Sequence, residues 1–188
     1  MLDSLGYGFM PSAWVIYYFK TTFNINAMTL GLIFSINDML QSISAIPSAI
    51  LARQFGPIKS TILTQIPCGL FFMMIPIAGQ SLIPATILYF LNQSLSATDV
   101  VPRQILLTSI VSSNDLPKVL GTVNIGKQIA RSVSPYFTGL LAGSGLLWVC
   151  FIISAALLIT ANVLLAVNFR TADAEIMKKQ SVHHDFEQ

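Results

Sequence analysis

Few side chains in this sequence are equipped for chemistry, and most of those lie inside apolar runs. Asp38 sits ten residues into one such run, beside Asn37. An ionised carboxylate at such a depth costs roughly 2.5–3.5 kcal/mol on insertion scales. It needs a partner, a water-filled cavity or a proton. Asp38 is therefore either a substrate or proton-coupling site or a structural polar contact between helices. Asp99 and Arg103 stand i, i+4 in SATDVVPRQ, one helical turn apart, with Pro102 between them. Pro102 frees a backbone carbonyl one turn back and can bend the helix. The pair reads as an internal ion pair, or as a gate if it opens during a conformational change. Asn124, Gln128 and Arg131 recur at i, i+4 and i+7 on one helix face. Arg131 and its neighbour Lys127 either snorkel to the membrane surface or point inward.

Covalent chemistry has no such footing. Cys68 in IPCGLFF and Cys150 in LWVCFII lie in apolar surroundings without CxxC spacing or a nearby histidine, which reads as buried or lipid-facing thiols. His183 and His184 fall in a polar tail. There is no HExxH, no Gly-x-Ser-x-Gly and no phosphate-binding loop. No catalytic residue, metal site or cofactor is expected, and a membrane-embedded enzyme is the weakest of the functional classes.

The elements that hold these residues follow from composition. Of 188 residues only 10% are charged, 54% are hydrophobic, and the net charge is +2; the mean hydropathy is +0.70. Ordinary soluble domains carry about 25% charged residues. This composition excludes disorder and disfavours a soluble enzyme. Ten dispersed basic residues also make no cationic stripe for nucleic acid.

No charged residue falls between Lys59 and Asp99, nor between Arg131 and Arg170. Each stretch holds nearly two segments of the ~20 residues that a membrane helix needs. Six spans are predicted: Ser4–Phe19, Met28–Ala52, Pro57–Ala78, Ser81–Arg103 with an extension past Pro102, Val119–Ala142 and Leu146–Val167. Turn residues separate them at Asn24–Asn26, Gly56-Pro57, Gly79–Ser81, Asn114–Pro117 and Gly143–Gly145. Unbroken runs such as LLWVCFIISAALLITANVLLAV do not alternate, which selects helices over barrel strands. Of the ten Lys and Arg residues, nine fall on one side of this arrangement and Lys20 alone on the other. The excess places both termini and the second and fourth connections in the cytosol.

The six spans differ in polarity. The second (Asn37, Asp38, Gln41), the fourth (Asn92, Gln93, Ser96, Asp99) and the fifth (Asn124, Lys127, Gln128, Arg131) are polar and should face an interior or a cavity. The third and sixth are apolar enough to face lipid. The first carries Gly6, Gly8 and Pro11, and the fourth Pro84 and Pro102. These are corresponding positions if the chain is a 3+3 repeat, and interrupted helices point to transport sites. Tyr7 could reach a cavity from the first span. Trp14, Tyr17, Tyr18 and Phe19 suit an interfacial aromatic belt. Gly121, Gly126, Gly139 and Gly143 suit close helix packing.

Three segments carry a resemblance: LDSLGYGFMPSAWVIYYF, SISAIPSAILARQFG, and DVVPRQILLTSIV with LGTVNIGKQIARSVSPYFTGLLAGSGLLWVCFII. Together they resemble the C-terminal six-helix half of a major facilitator superfamily transporter, of a eukaryotic branch seen in fungi. The resemblance implies two six-helix bundles with a substrate cavity between them. It implies that the first and fourth spans here line that cavity, that the second and fifth border the other bundle, and that the third and sixth face lipid. The loop LARQFGPIK keeps Gly56 and Lys59 of the family's loop pattern, but has Arg53 where the pattern has Asp. The gate logic attached to that Asp does not carry over.

The expected architecture is thus all-α: a polytopic membrane protein with one six-helix bundle over residues 1–170 and a polar cytosolic tail over 171–188. The expected function is transport of a small solute by alternating access. Tyr7, Asn37, Asp38, Asn92, Gln93, Asn124 and Gln128 are the candidate cavity residues, and Asp99, Arg103 and Arg131 the candidate gating residues. The expected partners are a small-molecule substrate, the lipid bilayer, and either a separate N-terminal half or a second copy. On this reading the chain is a truncated product, a fragment or a half-transporter that pairs. The alternative function is a non-transporting membrane protein: an assembly or sensor component, or a remnant.

Overall fold

Proline and glycine decide where this chain breaks. In the computed structural model, which describes residues 2–79, 81–112 and 115–168, every regular element is a helix. Helix α1 (Leu2–Phe9) stops before Pro11, and α2 (Ser12–Phe23) starts from the Pro11 carbonyl, which accepts from Trp14 N at 2.9 Å. The extended backbone of Pro11 (φ −63°, ψ 159°) makes the gap. Asn24 then ends α2 in the left-handed conformation, and the Asn26 side chain caps α3 (Ala27–Ser44) by accepting from Thr29 N at 2.8 Å. Pro47 lies in the first turn of α4 (Ile46–Phe55), which is bent 40° from α3.

Gly56, at φ 85°, turns the chain into α5 (Pro57–Met74). Helices α6 (Leu82–Thr98) and α7 (Val100–Ile110) meet at Asp99, next to Pro102. Helix α8 (Leu116–Gly143) and α9 (Leu147–Asn168) are joined by a short turn with Gly145 at φ 72°.

The breaks fall where turn residues were expected, but three of the six expected spans are interrupted. Among the described residues only α9 is by itself long and apolar enough to cross a membrane, and the bent pair α3–α4 qualifies as a unit. Two physical causes account for the others. Pro11 and the Asp99–Pro102 segment divide the first and fourth expected spans into short helices. Helices α5 and α8 carry the polar residues Thr61, Thr64 and Gln65, and Asn124, Lys127, Gln128 and Arg131. The expected tail over 171–188 lies outside the described residues.

Packing is led by α5 on α9, α1 on α9, α5 on α6, α1 on α8 and α3 on α6. Small residues permit the closest crossings. A Cβ added at Gly69 would meet Ile159 Cγ1 at 2.8 Å, and one at Gly8 would meet Ser134 Cβ at 2.8 Å. Three glycines of α8 have no such role: a Cβ at Gly121 or Gly143 meets nothing within 4 Å, and one at Gly139 makes only ordinary contact with Trp14. The buried stripe of α8 is instead Ala130, Ser134 and Thr138.

The largest apolar cluster joins α2, α5, α6 and α9 through Val15, Tyr18, Phe19, Phe72, Tyr89 and Phe151, with further residues around them. The ring centroids of Tyr18 and Phe151 are 4.8 Å apart, and those of Phe72 and Phe151 5.0 Å. Tyr18 and Phe19 are therefore core residues rather than belt residues, while Tyr17 is exposed. They are buried because α2 turns that face onto α9 and α6. Both cysteines are buried and free.

Helices α5 and α9 expose only outer faces, such as Leu63 and Leu70, and Val163 and Val167. Helices α3 and α8 are the open ones. Met28, Leu32, Met39 and Ile43 form an exposed stripe on α3, and Ile125, Ile129, Val133 and Leu140 form one on α8.

Candidate functional site

The broken helix α1 is held by its neighbours' hydroxyls. The last four carbonyls of a helix lack intrahelical donors, and Pro11 has no N–H to offer them. Ser154 of α9 donates to Gly6 O at 2.6 Å, and Thr138 of α8 donates to Phe9 O at 2.5 Å. Ser134 of α8 donates to Leu5 O at 3.3 Å. Gly8 lets α8 approach closely enough for the Ser134 and Thr138 bonds, and Gly6 does the same for Ser154 of α9. Helix α1 is thus fixed against α8 and α9, and Tyr7 projects from it toward α5 and α6.

Tyr7 anchors one wall of a large cavity. Its hydroxyl donates to Gln65 Oε1 at 3.1 Å and lies 2.8 Å from Ser96 Oγ. The cavity holds about 550 Å³ and is bounded by α1, by α6 and α7, and by α8. Its polar lining includes Tyr7, Ser96, Asp99, Arg103, Asn124 and Arg131. A small space of about 30 Å³, enough for one water, lies on the other side of Tyr7 and touches Asn92 and Gln93.

Asp99 and Arg103 form an ion pair at the α6–α7 break, with Arg103 Nε donating to Asp99 Oδ2. Arg103 Nη2 also donates to Asn162 Oδ1 on α9 at 3.2 Å, and Asn162 Nδ2 donates to Leu158 O at 2.7 Å. The carboxylate side chain is only 5% exposed, the guanidinium side chain 31%. Just before the break, Thr98 donates to Ser44 O at 3.0 Å, reaching the end of α3 at its own bend.

The candidates from the sequence therefore separate into three groups. Tyr7, Asp99, Arg103, Asn124 and Arg131 share the large cavity. Asn92 and Gln93 lie in the small space, where Asn92 Nδ2 donates to Cys68 O at 2.8 Å and Gln93 Nε2 to Tyr89 Oη at 3.3 Å. Asn37, Asp38 and Gln128 line neither. Asn37 is buried on α3, while Asp38 and Gln128 are exposed on the bundle's surface.

Lys127 lines the cavity, so Asn124 and Arg131 share it with Lys127 and not with Gln128. Two partners were not singled out from the sequence: Gln65, which meets Tyr7, and Asn162, which meets Arg103. Asn162 is an amide inside an otherwise apolar stretch of α9, and that isolation was the available signal; Gln65 sits with Thr61 and Thr64 in the polar part of α5 and carried no such mark.

Residues 1–185 match the family model described as Major Facilitator Superfamily. A protein of Saccharomyces cerevisiae (strain ATCC 204508 / S288c), described as an uncharacterized membrane protein, is 48% identical over 184 residues. The match covers 97% of this chain and 41% of that relative, so the chain spans less than half of the relative's length. No solved structure matches.

Proposed function

The chain belongs to the major facilitator superfamily, and on that footing we propose that it moves a small solute across a membrane by alternating access, with the cavity between α1, α6–α7 and α8 as the solute's site. The single observation that carries this reading is the polar cavity itself. A chain with so little charge gathers Tyr7, Asp99, Arg103, Asn124, Lys127 and Arg131 around one space of about 550 Å³. That volume falls in the range of small-molecule sites. Polar groups at membrane depth are costly unless they meet one another or a water-filled space.

The pairing of the helices supports six spans in a 3+3 repeat. The spans would be α1–α2, α3–α4, α5, α6–α7, α8 and α9. Exchange of first with fourth, second with fifth and third with sixth maps α1·α9 onto α6·α5, maps α1·α8 onto α6·α3, and leaves α5·α9 unchanged. These are the five leading contacts of the bundle. Cytosolic placement of both termini and of the tail over 171–188 follows from the Lys and Arg distribution alone. The open faces of α3 and α8, which include Asp38 and Gln128, would meet a second six-helix bundle, supplied by an N-terminal half or another copy. The Asp99–Arg103 pair is the proposed gate.

The test is flux. Vesicles containing the chain, alone and together with the N-terminal portion of the yeast relative, are loaded and assayed for uptake of a panel of sugars, amino acids, organic acids and phosphate. Saturable uptake that falls when Tyr7→Phe or Arg103→Met is introduced supports the reading. Uptake equal to that of empty vesicles in both preparations would refute it.

A further inference from the structure

The charges around the large cavity do not balance. Arg103, Lys127 and Arg131 line it, against the carboxylate of Asp99. Asp99 is engaged by Arg103, which is also held by Asn162, so that corner is neutral as a unit. Lys127 and Arg131 stand on α8, one helical turn apart, and neither has an ion-pair partner among the described residues. Lys118 near the start of the same helix differs: it lies outside the cavity and sits 3.9 Å from Asp115.

Like charges at i, i+4 repel each other. Turned toward a concave site with low-dielectric walls, they raise the local potential and concentrate anions. The neutral groups beside them suit the same guest. Gln104 and Asn124 bring amide N–H groups to the space, and the hydroxyl oxygens of Tyr7, Ser96 and Thr108 complete its polar lining. The guanidinium of Arg131 can hold a carboxylate or phosphate in a bidentate manner, and the ammonium of Lys127 acts as a point charge.

We propose that the solute of this cavity is a small organic or inorganic anion bearing a carboxylate or phosphate group, held by Lys127 and Arg131. The assignment takes the cavity as the solute site and so rests on the transport reading for its context, but it is tested by binding rather than by flux.

Purified chain in detergent is heated with citrate, inorganic phosphate, glucose or tetraethylammonium at matched ionic strength, and the unfolding midpoint is followed over a titration. Citrate or phosphate should raise the midpoint, and the Lys127→Gln/Arg131→Gln double variant should weaken that response about tenfold or more, as expected for losing charge-assisted bonds. The charge-retaining Lys127→Arg/Arg131→Lys variant should keep a response, which separates a lost ligand contact from a lost fold. Lys118→Gln should respond like the parent chain. Silence toward both anions, stabilisation by glucose or tetraethylammonium in their place, or an anion response that survives the double Gln variant would overturn the assignment. Anion binding without flux would refute transport and support this assignment; glucose flux without anion binding would do the reverse.

Discussion

Removing either member of the Asp99–Arg103 pair should have unequal consequences, because their environments are unequal. Asp99 is almost wholly enclosed, while Arg103 is about one-third open to the cavity and keeps a second partner in Asn162. Arg103→Met strands a buried carboxylate. Stranding one member of a buried pair costs about 3–5 kcal/mol. Asp99→Asn retains an acceptor of similar shape, and leaves a guanidinium that still reaches water and Asn162. Its cost is the charge-assisted part of one hydrogen bond, about 1–2 kcal/mol. The double variant Asp99→Asn/Arg103→Met has no buried charge and should be more stable than Arg103→Met alone by about 1–3 kcal/mol, the desolvation cost of an unsatisfied polar group. The assay is equilibrium unfolding of the four proteins in mixed micelles, followed by tryptophan fluorescence and closed as a double-mutant cycle. If Asp99→Asn were as destabilising as Arg103→Met, or if the double variant were worse than both, the assignment of Asp99 as the enclosed partner would be wrong.

Other outcomes follow from the same geometry. Gly8→Ala forces a Cβ to 2.8 Å from Ser134 and should destabilise by about 1–3 kcal/mol in the same unfolding assay. Gly121→Ala, within α8 and with nothing within 4 Å, should stabilise by about 0.5–1 kcal/mol. Tyr7→Phe removes the hydroxyl that meets Gln65 and Ser96, and should cost about 1–3 kcal/mol while reducing solute uptake. Cys68 and Cys150 are both buried, so a water-soluble maleimide should label neither until the chain unfolds, and mass spectrometry of the treated native protein checks it.

Breaks and faces were legible in the sequence to different degrees. Pro11, Gly56-Pro57 and Gly145 act through their own backbone restrictions, so their positions needed no knowledge of neighbours. The concentration of Asp99, Arg103, Asn124 and Arg131 in otherwise apolar helices was equally local, and these four do share one cavity. Contacts made between helices were not legible. Tyr18 and Phe19 have the composition of an interfacial belt, and only the approach of Phe151 and Tyr89 makes them core. Gly121, Gly139 and Gly143 of α8 look like packing residues, yet the close approach of α8 to α1 is at Gly8 against Ser134. Asp38 looked deep because it lies well inside α3, but depth along a helix does not fix which side of the bundle the residue occupies. Spacing placed Gln128 with Asn124 and Arg131, whereas the cavity takes Lys127, because a wall reads a sector of the helix and not a single line of residues.

The Thr98 hydroxyl bridges two discontinuities: it lies at the end of α6 and reaches Ser44 O at the end of α3. Pro47 has no N–H to return to α3, so the bend there leaves acceptors to be met from elsewhere. One hydroxyl thus stitches a helix that lines the cavity, one residue before its ion pair, to the end of the helix that carries the open face.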